Sequence, residues 1–296
     1  MIPLNDFFNR REWPPKILYL GDSVLERTSS DDKDKTLLGE MLKTELFDLG
    51  RVEYLSHPGY HLDVYYHLLR AVAQMKDRPE WVILPINLRS FSPTWYQNPL
   101  WRFDQTIEIL KQYIADPSKP MAEIPSLSEK DVSFEAFDAM AVHFPQSALR
   151  TIGQFRKLIK AKPRDVPAQR ARLKEIFLFH YLYVLDPTHP FLTFLRQITK
   201  LSQSEGIALF LYFTPINFEA GTRCLGEFFV SRVCENKQKI RKVLDATPLA
   251  VHWRDYSMLF GSDHFFTPNN ATEHLRGSAR QELAQTIAAE VRTVHR

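Results

Sequence analysis

Three short apolar runs in this chain end on residues able to do chemistry together. Residues 16–20 lead into Gly21-Asp22-Ser23, residues 51–55 into His57-Pro58-Gly59, and residues 81–86 into Asn87. In an open parallel sheet, ligands gather just beyond the carboxyl ends of the strands. Three such strands would deliver a hydroxyl, a glycine backbone and a carboxamide to one place. That set suits ester cleavage. The Ser23 oxygen attacks, while the Ser23 N–H, the Gly59 N–H and the Asn87 side chain hold the oxyanion. Each residue also has an ordinary role, Ser23 as a turn or cap residue, Gly59 in a tight turn and Asn87 in an Asx-turn. Only their convergence points to a site.

The elements that must position these residues follow an α/β pattern. Strands are expected at 16–20, 51–55 and 81–86, with helices at about 35–46 and 62–75, then strands at 207–214 and 249–253, which is the signature of a parallel sheet. Pro85 donates no ladder hydrogen bond, so the third strand is expected to end or bulge there. Helices are expected at 191–204, about 224–243 and about 277–291. Residues 100–190 are read as a helical insertion broken by Pro117, Pro120, Pro125, Pro145, Pro163, Pro167, Pro187 and Pro190, and long insertions of this kind commonly form lids. Its alternating Phe177, Phe179, Tyr181 and Tyr183 are expected to form the insertion's own core.

Composition narrows the class. The 296 residues are 44% hydrophobic and 25% charged, with net charge +3, which is ordinary for a globular chain. No run reaches the length of about 18 apolar residues that a bilayer span requires. No secretory signal is visible at the N-terminus, so a cytoplasmic location is expected. Cys224 and Cys234, in a helical segment, are expected to be free, partly buried thiols. His57, His61 and His67 have a poor spacing for a metal on one helix face, and neither a metal nor a cofactor is expected. Between Arg150 and Lys174 nine Lys and Arg stand against Asp165 alone. That cluster is either a solvated helix face or a contact for an anionic polymer or acidic membrane surface, and no motif favours nucleic acid.

Taken together, Gly21-Asp22-Ser23-Val24, Gly59 and Asn87 resemble the first three blocks of the SGNH, or GDSL-type, hydrolases. Near the C-terminus, His274-Leu275-Arg276-Gly277 and the helix after it are similar to that family's histidine block, with alanine at the later glycine. The resemblance covers about 14–97 and 205–294. It implies Ser23 as nucleophile and His274 as base, with His264 in Asp263-His264 as the competing histidine. The family's aspartate, three residues before the histidine, is Ala271 here. Asp263, Glu273 or a backbone carbonyl is then left to orient His274.

The resulting expectation is one domain over 1–296, a three-layer α/β sandwich on a five-stranded flavodoxin-like sheet with a helical insertion at about 100–190. Its expected activity is that of a serine esterase on a small acyl ester, with O-acetylated carbohydrate as the leading substrate. The alternatives are an O-acetyltransferase using the same pair, or a degenerate domain that binds a glycan or partner. The aromatics from Phe91 through Trp95 and Tyr96 to Trp101 either face sugar rings or pack the loop onto the insertion.

Overall fold

The computed structural model describes residues 3–10, 15–125, 128–246 and 251–295. In chain order these form α1 (Leu4–Asn9), β1 (Ile17–Gly21), α2 (Leu38–Glu45), β2 (Val52–Ser56), α3 (Leu62–Ala73) and β3 (Trp81–Ile86). Next comes α4 (Pro93–Tyr96), and the insertion carries α5 (Asp104–Ala115), α6 (Glu135–Ala139), α7 (Ile152–Lys160) and α8 (Val166–Tyr181). Then come α9 (Pro190–Glu205), β4 (Ala208–Phe213), α10 (Phe218–Leu225), α11 (Glu227–Asp245), β5 (Val251–Asp255) and α12 (Gly277–His295).

All strand pairs are parallel, in the order β2-β1-β3-β4-β5. This is the flavodoxin-like order. β1 to β4 are almost wholly buried along their length, because helices cover both faces. Alternate residues divide the core. Ile17, Tyr19, Ile83 and Tyr212 pack with α2 and α12 on one face, whereas Leu18, Leu20, Val82, Leu84 and Leu211 pack with α3, α9 and α11 on the other. The chain leaves β1 toward β2 on the first face and returns past β1 to β3 on the second. The carboxyl ends of β1 and β3 therefore flank the switch point, where such sheets bind ligands.

Several expected elements shift, each for a local reason. β3 runs straight through Pro85, which pairs with Tyr212 without a bulge. Odd residues of β3 face β1, as the Trp81 N–H does toward the Lys16 carbonyl, and the β1–β3 ladder stops at Ile83. Pro85 thus has no ladder bond to forfeit. The helix expected at 224–243 is two helices, split at Gly226, whose φ of +58° suits glycine. Pro167 does not break a helix but lies in the first turn of α8, where Asp165 Oδ1 accepts the Ala168 N–H at 2.8 Å. α2 begins at Leu38 rather than near Lys35, since the preceding backbone is held by Arg280. Residues 249 and 250 of the expected fifth strand lie outside the described residues.

The insertion is not packed on itself alone. Phe177, Phe179, Tyr181 and Tyr183 are buried in the same apolar cluster as β3, β4 and α3. Phe179 also stacks on Phe155 of α7, with centroids 4.2 Å apart and planes 6° from parallel. The C-terminal half of α8 is therefore part of the molecule's main core. No described helix is long and apolar enough to cross a membrane.

Candidate active site

Ser23 follows β1 in a turn whose N–H of Val24 bonds Asp22 Oδ1 at 2.8 Å. The same aspartate reaches across to β3, accepting from Asn87 Nδ2 on Oδ2 at 3.0 Å. Asn87 Oδ1 in turn accepts the Arg89 N–H at 3.1 Å. Its carboxamide is thereby fixed in one orientation, with the second hydrogen of Nδ2 left for a ligand. Asp22 is buried, and burial raises its pKa against the opposing hydrogen bonds from Val24 and Asn87.

His274 comes from the other end of the chain. Its Nε2 lies 3.1 Å from Ser23 Oγ across 251 positions of sequence. Burial first, then the charges of Arg89 and Arg27, push its pKa down to about 3, so the ring is neutral at ordinary pH. A neutral imidazole can take the serine proton. Phe266 stacks on it at 5.5 Å and 27°. The loop is pinned by Asn217, whose Nδ2 donates to the Pro268 and Asn270 carbonyls at 3.0 and 3.1 Å while its N–H donates to the Thr272 carbonyl.

Among the described residues, none of the three expected partners holds His274 Nδ1. Thr272 Oγ1 stands there instead, at 3.3 Å, and also accepts the His274 backbone N–H at 3.1 Å. The Glu273 carboxylate points elsewhere: it is fully buried, 2.6 Å from the Arg89 guanidinium, and accepts from the Tyr181 hydroxyl. Asp263 is exposed. Ala271 sits inside an apolar cluster.

Gly59 has φ +89°, and a Cβ built there would lie 2.5 Å from the Trp101 ring. The tight-turn requirement and the close approach are therefore both real. Among the described residues neither the Ser23 N–H nor the Gly59 N–H donates a hydrogen bond.

No family model matches this chain, and no curated protein matches it. Among solved structures it is similar to a variant of Axe2, an acetyl xylan esterase from Geobacillus stearothermophilus, at 12% identity over 93% of each chain with a TM-score of 0.43. A second Axe2 variant, described as an acetyl-xylooligosaccharide esterase, gives 10% identity over 93% of this chain and 92% of that one, with a TM-score of 0.42. LAE5, an alpha/beta hydrolase enzyme from the metagenome of Lake Arreo, Spain, gives 10% over 95% of both chains and a TM-score of 0.40. At these values the reading of the site rests on its own geometry.

Two positioning groups escaped the sequence reading. Arg280 of α12 is buried, donating to Asp32 Oδ2 at 2.6 Å, to the Leu275 carbonyl at 2.9 Å and to the Thr36 and Asp34 carbonyls at 3.2 and 2.9 Å. It fastens the segment after Ser23 to the loop that carries His274. Thr272 is the other, and a hydroxyl two residues before the histidine gives no distinctive sequence signal.

The remaining candidates lie apart from the pair. His264 is exposed, its Nδ1 3.3 Å from the Gly261 carbonyl, and its backbone oxygen accepts the Arg276 N–H. His57 and His61 contact the Pro58 and Trp101 carbonyls, and His67 faces Asp63 at 3.5 Å. The loop aromatics are largely packed. Trp95 lies between Arg89, 4.3 Å from its ring, and Trp101, while Tyr96 packs on His189. Cys224 is half-buried as expected, but Cys234 is exposed on α11. In the basic cluster, Arg156 and Lys160 are paired with Asp138 and Glu129, and Lys157, Lys162, Arg164 and Arg170 are exposed.

Proposed function

We propose that the chain is an SGNH-type serine ester hydrolase acting on a small acyl ester, with O-acetylated carbohydrate as its substrate class. The observation that carries this reading is the 3.1 Å approach of Ser23 Oγ to a neutral His274 Nε2, beside an Asn87 carboxamide fixed by Asp22. A nucleophile next to a base and next to unused N–H donors is what acyl transfer requires.

In this reading Ser23 Oγ bonds to the acyl carbon as its proton passes to His274 Nε2. The ester C–O bond then breaks, and His274 gives that proton to the departing alcohol oxygen. Water next adds to the acyl-serine, losing a proton to His274. The carboxylic acid leaves as the proton returns to Ser23 Oγ. Through both halves the Ser23 N–H, the Gly59 N–H and Asn87 Nδ2 hold the oxyanion.

A cleft of about 740 Å³ lies near the Gly59 turn, lined by His57, Tyr60, Trp101 and Phe103 together with Asn5 and Gln105; Ser23, Asn87 and His274 do not line it, and the substrate class supposes that a sugar seated there reaches to Ser23. Aromatic faces with amide groups beside them suit the apolar faces and hydroxyl edges of sugar rings. Phe103 is the one non-glycine residue among those described with positive φ, at 54°, and such strain often sits at functional clefts.

The test is hydrolysis of p-nitrophenyl acetate and of acetylated xylo-oligosaccharides. Turnover of both by the wild-type protein, with loss in a folded Ser23→Ala variant, is expected. An unchanged rate in Ser23→Ala would overturn the assignment. Turnover of the activated ester alone would overturn only the substrate class.

A further inference from the structure

The chemistry proposed above places a positive charge on His274 in each transition state, yet the imidazole has only a hydroxyl at Nδ1. A second cation, Arg89, is ion-paired with Glu273, the residue next to His274 in the chain. Arg89 is buried, its guanidinium lies over Trp95, and its field opposes protonation of His274. Two positive charges in one buried site repel strongly, because little solvent screens them. The carboxyl group placed to relieve this is Glu273, adjacent in sequence to His274, fully buried and 2.6 Å from Arg89, whose charge and the Tyr181 hydroxyl oppose the rise in its pKa that burial causes. Tyr181 of α8 donates to it and keeps it from solvent.

We propose, on the reading of the site given above, that Glu273 acts through Arg89 as a positioning residue, offsetting the guanidinium charge so that His274 can carry the proton of the reaction. It takes over part of the electrostatic task of the missing aspartate without touching the imidazole. Other charged and titratable groups around this set are Asp22 and Arg27 from the segment after β1 and His180 on α8. Asp22 is already committed to Val24 and Asn87. Arg27, being exposed, is screened by solvent. The Glu273–Arg89 balance is therefore the one that decides.

The variants are Glu273→Gln, which keeps shape and hydrogen bonding, and the double variant Arg89→Gln/Glu273→Gln. On p-nitrophenyl acetate the single variant should lose about 10- to 100-fold in kcat with KM within about threefold, as for an interaction made in the transition state. The double variant should regain at least about fivefold, since the uncompensated cation is gone. Wild-type kcat in the single variant would overturn the proposal, as would a double variant no better than the single. If the double variant does not fold, Glu273→Asp supplies the test. It must keep kcat within about threefold, and a loss as large as that of the glutamine variant would contradict a charge role.

A readout independent of turnover is the NMR titration of His274 itself. Its protonation should move upward by more than about one pH unit from Glu273→Gln to the double variant. Superimposable titrations would overturn the charge coupling. If instead the wild-type protein cleaves no ester while the titrations differ as described, the esterase reading fails and the coupling stands.

Discussion

The serine half and the histidine half of the site are held by different means. On the serine side a buried carboxylate, Asp22, bonds both its own turn and the Asn87 carboxamide. On the histidine side the equivalent place is taken by the Thr272 hydroxyl, and the nearby carboxylate of Glu273 faces Arg89. On the proposed reading, the turn that carries the nucleophile and one oxyanion donor, Asn87, are thus fixed by bonds to a buried carboxyl group. The proposed base, His274, is fixed by neutral bonds and ring stacking. Such a site keeps its geometry but gives the imidazolium less stabilisation than a Ser-His-Asp relay, so turnover should be slow.

That contrast can be broken in order of expected effect. Ser23→Ala removes the attacking atom and should cost about 10⁴ or more in kcat on p-nitrophenyl acetate, with an unchanged melting temperature. Asn87→Ala should cost about 10²–10³ in kcat. Asp22→Asn belongs to the same side, because it leaves a buried donor facing Asn87 Nδ2, and should lower kcat by about tenfold or more. On the histidine side Thr272→Val removes two neutral hydrogen bonds, only one of them to the imidazole and worth about 0.5–1.5 kcal/mol, hence only about a 2- to 10-fold loss in kcat. A loss near 10⁴ there would mean that Thr272 carries the full task of a relay acid.

The pH profile sharpens the same comparison. His274 is depressed to about 3, so its base form persists on acidification. The kcat/KM profile should therefore stay flat from pH 8 to about 5, and an acid limb near the ordinary histidine value of about 6.5 would contradict the buried, cation-flanked imidazole. Smallest of all, His264→Ala and Asp263→Asn should leave kcat within about twofold, since both residues are exposed and neither contacts His274.

The strand ends and the residues that follow them were legible because a buried parallel strand writes itself as a continuous apolar run, and because Ser23, Gly59 and Asn87 follow directly from it. His274 was legible through its spacing to α12. The partner of its Nδ1 was not, since Thr272 is a short-range contact set by the path of the loop, which Asn217 and Arg280 hold from distant parts of the chain. Pro85 misled for a related reason: whether a missing N–H matters depends on which neighbour it faces, and the β1–β3 ladder has already ended at Ile83. The insertion's aromatics misled because alternation marks burial without saying which core is entered. Glu273 was named as a carboxylate near the base, but its pairing with Arg89 depends on strand order.

The pairing of Ser23 with His274 is tested most directly by fluorophosphonate labelling followed by peptide mass spectrometry. The account predicts a single adduct on the peptide carrying Ser23, absent in Ser23→Ala and strongly slowed in His274→Ala. No adduct on the folded wild-type protein, an adduct on a different serine, or a labelling rate indifferent to His274 would contradict it.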